Sequence, residues 1–382
     1  MDERRVALQR CGSYQRDVIE ERVARAFDLL GGTEAIIGRG ESVFLKVNAL
    51  SPATPDKAVT THPEVVWAVI NQVKEVASDI IVGDTHVGPH NNARHRQVYR
   101  RTGLARVAEE TGVPLSYGTE AVLRPCPGGR MLNNISICKE IADCDRLISL
   151  SKLKTHLLMN VSGAVKNVYG VVPGMTKFTY HAMFQNQEDF ANLLVDVVLA
   201  TAPDLHLMDA VVGMDGNGPR QGKAVEVGVI AASRDPFALD ALMTELVGLD
   251  TRLNLPLKAA WKRGLCDCDP NQIEVVGDEP GTSLPRGFRL PTDRSIIAYF
   301  PSFFMRIYGR RMSFRPHPNT ELCTGCGKCA DICPVSAVSI KNGTAVIDSR
   351  KCIRCYCCDE ACEYDAMDLR RPWLMRLFRQ GD

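Results

Sequence analysis

Two cysteine runs near one end of the chain decide the fold of that region. They are Cys323-Thr-Gly-Cys326-Gly-Lys-Cys329-Ala-Asp-Ile-Cys333-Pro334 and Cys352-Ile-Arg-Cys355-Tyr-Cys-Cys358-Asp-Glu-Ala-Cys362-Glu363. Each run has the spacing Cys-x2-Cys-x2-Cys-x3-Cys, and every cysteine of the first run recurs 29 residues later in the second. The repeat indicates an internal duplication. Nine of the 15 cysteines of this 382-residue chain lie in the block.

This spacing predicts two [4Fe–4S] clusters. A short loop with a cysteine at every third position supplies three thiolates to one cluster, and in two-cluster proteins the fourth comes from the other run. We assign the ligands of cluster 1 as Cys323, Cys326, Cys329 and Cys362, and those of cluster 2 as Cys352, Cys355, Cys358 and Cys333. Cys357 interrupts the repeat and is predicted to be a bystander. The alternative is a pair of structural zinc sites, which use paired Cys-x2-Cys units rather than runs of four.

Over about 317–372 the chain resembles a bacterial-type two-cluster ferredoxin. The resemblance implies a small α+β domain that transfers electrons. Between the two runs, residues 338–348 predict a hairpin that turns at Asn342-Gly343. Glu363 stands where the resemblance would place a proline after the second run.

Composition excludes several other classes of protein. Apolar residues make up 45% and charged residues 24%, as in a globular protein rather than a disordered or fibrous one. No apolar run approaches the roughly 18 residues of a membrane-spanning helix. The charged start, Met1-Asp-Glu-Arg-Arg5, leads into no apolar segment, so a secretory signal is not expected and the predicted location is cytoplasmic. A net charge of +1 argues against bulk nucleic-acid binding.

Residues 1–280 alternate apolar runs with helical patterns. This alternation predicts an α/β domain with a largely parallel sheet and helices on both faces. The predicted strands are Val6–Arg10, Ser42–Lys46, Ile80–Gly83, Leu147–Leu150, Leu205–Met208 and Val227–Ala232. Helices are predicted over about 17–30, after His62-Pro63, after Asn160 and from Asp235-Pro236.

Polar side chains follow four of these strands, and in open α/β sheets ligands bind beyond the carboxyl ends of the strands. The candidates for substrate binding are Asn48, Asp84, His86, Lys152, Asn167, Asp215 and Asn217, and those for catalysis are Lys154, His156 and Lys166. For each residue alone, a helix cap or a turn is an equal alternative. As a set, they favour one cleft.

The segment Ser151–His156 is the most unusual of these. Lys152, Lys154 and His156 alternate along an extended stretch and so share a phase. Together with Lys166 they predict a site for a phosphate or carboxylate, against the alternative of solvated lysines and a structural histidine. No Walker A loop and no G-x-G-x-x-G fingerprint after a strand supports nucleotide binding.

Four segments carry a second resemblance: Lys152–His156, Gly163–Gly170, Asp215–Pro219 and Ser233–Asp240. They resemble the hallmark segments of the domain of unknown function family 362, over about 5–265. The resemblance implies a single α/β domain that is often fused to a two-cluster ferredoxin. It implies no substrate.

The two predicted domains are joined by a basic connector, 281–316, and the chain ends in a basic tail, 373–382. Seven arginines lie between Arg286 and Arg315 with interleaved aromatic residues, and a helix is predicted near Pro301. Three interpretations remain open: peripheral membrane contact through 296–314, docking of an acidic redox partner, or packing across the domains. The six cysteines outside the cluster block are predicted to be buried or incidental thiols. They are Cys11, Cys126, Cys138, Cys144, Cys266 and Cys268.

The leading functional hypothesis is a low-potential reductase. An external donor such as a ferredoxin would pass electrons through the clusters to an anionic small molecule in the α/β cleft, with the lysines stabilising negative charge and His156 delivering a proton. The second hypothesis is a non-catalytic electron-transfer subunit that docks to a larger redox complex. A third is chemistry in the cleft with the clusters as a redox sensor.

Overall fold

The computed structural model describes residues 4–85, 92–279, 287–291 and 314–370. The strands are β1 Arg5–Arg10, β2 Ser42–Val47, β3 Asp79–Gly83, β4 Ala121–Pro125, β5 Asn134–Cys138, β6 Arg146–His156, β7 Asn160–Ser162, β8 Leu205–Asn217, β9 Gln221–Ser233, β10 Glu274–Gly277, β11 Arg315–Pro318, β12 Val338–Lys341, β13 Thr344–Ile347 and β14 Met367–Arg370. The helices are α1 Arg16–Leu29, α2 Thr33–Ile36, α3 Pro63–Val73, α4 Asn92–Arg101, α5 Leu104–Thr111, α6 Lys139–Asp143, α7 Ala164–Val168, α8 Gly174–Met183, α9 Gln187–Thr201, α10 Pro236–Leu246, α11 Leu255–Lys262, α12 Lys328–Asp331 and α13 Cys357–Ala361.

A mixed sheet of eight strands forms the centre of the α/β domain. Its order is β10-β1-β9-β8-β6-β2-β3, with β7 paired to β6. The pairs β2–β3, β2–β6, β6–β8 and β1–β10 are parallel, whereas β9 runs antiparallel to both of its neighbours. The predicted largely parallel α/β sheet is therefore confirmed, with β9 inserted into it as an antiparallel strand and β7 paired antiparallel to β6.

Helices pack on both faces of this sheet, as alternate residues of one strand show. Val43, Leu45 and Val47 of β2 belong to the core under α1, α3 and α5, whereas Phe44 belongs to the core under α7 and α9. Successive side chains of a strand point to opposite faces, so each face of β2 has its own helical layer. A third core lies between α10 and the β1, β8 and β9 strands.

Two predicted strand ends are wrong, and both errors affect the site. The strand predicted to end at Leu150 continues as β6 to His156, because it pairs with β8 and then with β7. The strand predicted to end at Met208 continues to Asn217, because β8 and β9 form a long hairpin with partners as far as Asn217 and Gln221. Polar side chains interrupt the apolar sequence pattern at the ends of β6 and β8. The backbone hydrogen bonds between the strands nevertheless continue through these segments.

The helix predicted after Asn160 begins later than expected. Residues Asn160–Ser162 form the short strand β7, and helix α7 starts at Ala164 after Gly163. The helix from Pro236 is present, and the Asp235 carboxylate accepts hydrogen bonds from the Phe237 and Ala238 amides. The helix predicted near Pro301 and the basic tail lie outside the described residues.

Within the described residues, the small C-terminal domain holds four short strands and two short helices around the cysteine block. Strands β12 and β13 form the predicted hairpin, with Lys341 opposite Thr344 across the Asn342-Gly343 turn. Strands β11 and β14 pair antiparallel, and α12 and α13 contain the third cysteine of each run, Cys329 and Cys358. Glu363 forms an ion pair with Lys328, 2.6 Å away.

The tip of the β8–β9 hairpin holds this domain against the α/β domain. The Arg220 guanidinium donates to the Asp359 and Cys362 carbonyls and pairs with the Asp365 carboxylate at 2.6 Å. Its neighbour Gln221 donates to the Asp359 carboxylate (2.8 Å) and to a backbone carbonyl of β14. Because the Arg220 side chain is only 9% exposed, its charge is satisfied mainly across this interface.

Candidate functional site

A cavity of about 60 Å³ lies where the two domains meet. Both domains contribute to its wall: β2, β6, α7 and α8 from the α/β domain, and α12 and α13 regions from the C-terminal domain. The lining residues are Lys46, Asn48, Leu50, Asp84, Thr85, Arg94, His156, Lys166, Asn167, Tyr169, Gly170, Lys177, His181, Phe190, Ile332, Glu360 and Ala361. The predicted cleft thus becomes an interdomain cavity.

A buried polar network forms one wall. The Lys46 ammonium lies 3.1 Å from Asp84 Oδ1 and donates to Asn167 Oδ1 at 3.2 Å. Asn48 Nδ2 donates to the same Asn167 oxygen at 3.2 Å, while the Asn167 amide donates to Ser149 Oγ at 2.9 Å. Asp84 also accepts from the Ala49 and Thr85 amides, both at 2.8 Å. These bonds fix the side chains, since buried polar groups rarely remain unpaired.

Helix α7 points Lys166 into the cavity. The start of this helix is fixed by the buried Asp240 carboxylate, which accepts from the Ala164 amide at 2.6 Å and from the Val165 amide at 3.1 Å. Gly163 allows this approach, because a Cβ there would lie 2.0 Å from Asp240 Oδ1. Within the described part of the chain no hydrogen bond or ion pair engages the Lys166 ammonium. Burial lowers the pKa of Lys166, and an anionic ligand in the cavity would favour its ammonium form.

His156 is held as a neutral hydrogen-bond donor. Its Nδ1 accepts from the Leu158 amide at 3.0 Å and from the Met159 amide at 3.3 Å, which places the ring proton on Nε2. Nε2 lies 3.4 Å from Glu360 Oε1, a distance beyond a good hydrogen bond. Burial and then the charge of Lys166 lower the pKa of His156 to about 3. The sequence argument assumed an ordinary histidine pKa near neutrality, and the buried position does not fit that assumption.

Glu360 brings a carboxylate from the C-terminal domain into the same cavity. It lies in α13, between Cys358 and Cys362 of the second cysteine run. Burial opposes its ionisation, but the His156 ring and the Lys166 charge lower the pKa of Glu360 to about 2. Glu360 is therefore an anion facing Lys166 and His156.

Cations outnumber anions among the described residues that line the cavity. The cations are Lys46, Lys166, Lys177 and Arg94, and the anions are Asp84 and Glu360. Burial lowers the pKa of Lys177 to about 8 and that of His181 to about 4, so the histidine is neutral at pH 7. A small anion would offset the positive excess, because buried charges are costly unless paired.

The comparisons with known proteins fall on both domains. A family model described as "Domain of unknown function (DUF362)" matches residues 43–245, more than half of the chain. The chain belongs to the DUF362 family. A model described as "4Fe-4S binding domain" matches residues 316–339 of this DUF362 protein.

Two relatives and one solved structure illustrate the range of similarity of this DUF362 chain. The "Thylakoid-associated protein sll1697" of Synechocystis sp. is 34% identical over 321 residues, which cover 79% of this chain and 95% of that protein. "Ferredoxin-1" of Rhodobacter capsulatus is 46% identical over 35 residues, 9% of this chain and 54% of that ferredoxin. The solved lactate racemase apoprotein of Thermoanaerobacterium thermosaccharolyticum aligns with a TM-score of 0.39 and 16% identity, over 62% of this chain and 56% of that one.

The family assignment and the ferredoxin relatives establish the coarse class of the molecule. This DUF362 protein is an iron–sulfur electron-transfer protein that carries at least one [4Fe–4S] cluster. No helix among its described residues is long and apolar enough to cross a membrane.

The structure groups the eight run cysteines of the DUF362 protein into two sets of four. Cys323, Cys326, Cys329 and Cys362 line one small cavity. Cys333, Cys352, Cys355 and Cys358 line another, together with Cys357. No three His, Cys, Asp or Glu side chains in the described part of the chain converge as closely as a single metal ion requires. The two quartets consist wholly of thiols, the donors that hold iron–sulfur clusters.

Backbone amides donate to the sulfurs at equivalent places in both runs. The Ala337 amide donates to Cys333 Sγ at 3.1 Å, and the Ala366 amide donates to Cys362 Sγ at 3.3 Å. These amides are related by the same 29-residue repeat, and each serves the cysteine that crosses to the other quartet. Because amide hydrogen bonds to cluster sulfurs are a usual feature of such sites, the residues fit the predicted clusters.

Several predicted site residues of the DUF362 domain do not line the cavity. Lys152 is buried in an ion pair with Asp209 (2.9 Å) and does not line the cavity. Lys154 does not line the cavity itself, but it donates to Oδ1 of Asn48, a lining residue, at 2.7 Å. Asp215 pairs with Arg289 at 2.9 Å, and Asn217 lies at the end of β8. His86 lies outside the described residues.

Sequence reasoning missed four charged or titratable members of the wall. Lys177 and His181 are one helical turn apart on α8, a spacing that places both on one face and was available as a signal. Arg94 is in α4, and nothing in its local sequence marks it. Glu360 lies between two cysteines of the second run, so its position in the sequence indicated only a residue of the cluster loop.

Proposed function

We propose that this protein is a low-potential reductase that passes electrons through two [4Fe–4S] clusters to a small anion in the interdomain cavity. The observation that carries the proposal is the position of α13. This helix contains Cys358 of one quartet, is followed by Cys362 of the other, and lines the cavity with Glu360 and Ala361. A ligand in the cavity would therefore lie against the helix that holds cluster thiols.

The size and charge of the cavity define the class of substrate. By the same measure a water molecule needs ~10–15 Å³, so a space of about 60 Å³ accepts a group of only a few heavy atoms. The positive excess favours an oxyanion or a short carboxylate. Lys166 and Lys177 would bind it and stabilise negative charge that develops on reduction, and His156 Nε2–H would orient it.

The two clusters together would supply two electrons from an external donor such as a ferredoxin. The residues of this chain bind and orient the anion. The small volume of the cavity limits the number of water molecules around it. Burial strengthens each of these interactions, because charges attract more strongly in a medium of low dielectric constant.

A reoxidation assay tests the proposal. The anaerobic protein is reduced with dithionite, freed of excess reductant, and followed by visible and EPR spectra while fractions of small anions are added. Reoxidation should require a small-anion fraction, and Lys166→Met should slow it by about 100-fold, as loss of one stabilising donor commonly does. Lys74→Met is the matched control, because Lys74 is exposed and its ammonium donates to Asn71, far from the cavity lining.

The competing hypothesis, a non-catalytic electron-transfer subunit, gives the opposite result. Clusters that stay reduced with every small-molecule fraction, yet discharge onto a protein partner, would replace the reductase proposal with that one. Equal reoxidation rates for Lys166→Met and the parent protein would show that the cavity takes no part in the reaction.

The number of clusters is tested by iron content. The parent protein should hold about eight irons per chain, and Cys333→Ser should retain about four, because it removes one ligand of cluster 2 only. Cys357→Ser is the control, since this thiol interrupts the repeat and is predicted to bind no iron. Four irons in the parent protein, or a loss of iron in Cys357→Ser, would contradict the assignment.

The affinity for an anion should depend on pH through Lys177. Sulfate is a suitable probe, because it does not titrate between pH 6 and 10. Affinity should be constant below the Lys177 pKa of about 8 and fall by up to about tenfold per pH unit above it, as the ammonium loses its proton. Calorimetric titration measures this fall. Lys177→Arg should move it to higher pH, because guanidinium stays protonated, and the same fall in that variant would exclude Lys177 as its cause.

A further inference from the structure

Two cysteines outside the cluster block lie in contact. Cys266 Sγ and Cys268 Sγ are 3.1 Å apart, on the segment that follows α11. Both residues are half-buried, and both sulfurs face the Leu257 carbonyl, at 3.9 Å and 3.3 Å. A disulfide has an S–S distance of about 2.04 Å, so a shift of about 1 Å would join them.

The backbone brings these thiols together. Cys268 has a φ of +56°, in the left-handed region that non-glycine residues seldom adopt. Thr251 Oγ1 donates to the Cys268 carbonyl at 3.2 Å, and Asp267 pairs outward with Arg4. The residue between the cysteines therefore points to solvent while the two thiols share the inner side of the turn.

We propose that Cys266 and Cys268 form a reversible dithiol–disulfide site that reacts with small disulfides such as oxidised glutathione. The Cys266 thiolate attacks one sulfur of the disulfide, whose S–S bond breaks and releases one thiol. Cys268 then loses its proton and attacks Cys266 Sγ, which releases the second thiol. The two cysteines lose two electrons and two protons, and one disulfide becomes two thiols.

The order of attack follows from the contact between the two sulfurs. A hydrogen bond from the Cys268 thiol lowers the pKa of Cys266 and raises that of Cys268. The thiolate is the nucleophile in disulfide exchange, so the first bond forms at Cys266. Arg4 is close enough to act on the charge of Cys266.

Peptide mass spectrometry tests the site in the full-length, cluster-containing protein. Cleavage after Arg263 and Arg286 releases residues 264–286, whose only cysteines are Cys266 and Cys268. After anaerobic incubation in glutathione buffers of graded oxidation, the protein is denatured in an alkylating reagent and digested. The peptide should carry two alkyl groups in reduced buffer and none in oxidised buffer, with a mass two hydrogens lower, while the visible cluster spectrum is unchanged.

Variants separate the two attacks. Cys268→Ser should accumulate a glutathione adduct on Cys266, because the resolving thiol is absent, and Cys266→Ser should accumulate far less. Cys144, a half-buried lone thiol in the peptide 140–146, is the internal control and should form no comparable adduct at the same ratio. Two alkyl groups on the 264–286 peptide at every ratio, or equal adducts on Cys144, would overturn the proposal. So would a stable glutathione adduct on the parent pair.

Discussion

Gly163→Ala is expected to lower the free energy of unfolding of the α/β domain by about 2–4 kcal/mol. The new Cβ would lie 2.0 Å from Asp240 Oδ1 and 2.8 Å from Asp240 Cγ, so the buried carboxylate would have to move. It would then lose its hydrogen bonds from the Ala164 and Val165 amides, and each buried group left unpaired costs about 1–3 kcal/mol. Urea unfolding followed by far-UV circular dichroism measures the loss.

Two comparisons attribute the effect to the clash. Gly12→Ala is the matched control, because a Cβ at Gly12 meets nothing within 4 Å and the change should stay within about 0.5 kcal/mol. In an Asp240→Ala background the Gly163→Ala change should cost less than about 1 kcal/mol, since the carboxylate is gone. An undiminished cost in that background would show that the strain lies elsewhere.

The Gly163→Ala substitution should also alter the wall of the cavity. Asp240 fixes the start of α7, and α7 carries Lys166 and Asn167 into the cavity wall. A shift of the helix start would therefore weaken sulfate binding as well as stability. This couples Asp240, a residue of α10, to the proposed binding site.

Arg220→Ala is expected to loosen the contact between the two domains while leaving both folded. The change leaves two backbone carbonyls without their cationic partner, and the Asp365 carboxylate keeps the more distant Lys57, at 3.8 Å. Hydrogen bonds to a charged group contribute about 1.5–3 kcal/mol, so amide hydrogen exchange in α13 should rise by about tenfold to a hundredfold. Hydrogen exchange with mass spectrometry measures this rise.

Arg252→Ala provides the control for Arg220→Ala. The Arg252 side chain is 76% exposed and pairs with Asp250, two residues away, so its removal should leave α13 unchanged. Iron content should be the same in both variants. If α13 in Arg220→Ala keeps its protection, other interface groups hold the domains, among them the apolar contact of Leu157 with Phe314 and Tyr356.

These interface contacts bear directly on the proposed function. The reductase proposal needs the cavity and the cysteine quartets to stay in one arrangement, and Arg220 donates to the carbonyl of a quartet cysteine, Cys362. Slower anion-dependent reoxidation in Arg220→Ala, at unchanged iron content, would be the functional counterpart of faster hydrogen exchange.

Local patterns determined much of this protein from sequence. The 29-residue repeat predicts eight ligand cysteines, because ligand spacing in a short loop is a local property. The hairpin at Asn342-Gly343 and the helix from Pro236 also follow from signals within a few residues. The α/β class followed from the alternation of strand and helix patterns, which depends on no long-range contact.

Only the tertiary structure decided which polar residues meet. Lys152 and Lys154 share a phase along β6, yet the pairing of β6 with β8 shifts register between them, and Asp209 neutralises Lys152. Glu360 and Arg94 reach the cavity from distant parts of the chain, and no spacing rule connects them to Lys166. The pKa of His156 also depends on burial by two domains. The sequence determined the layers and predicts the cluster ligands, because these follow from short-range spacing and periodicity, whereas the site depends on packing between segments hundreds of residues apart.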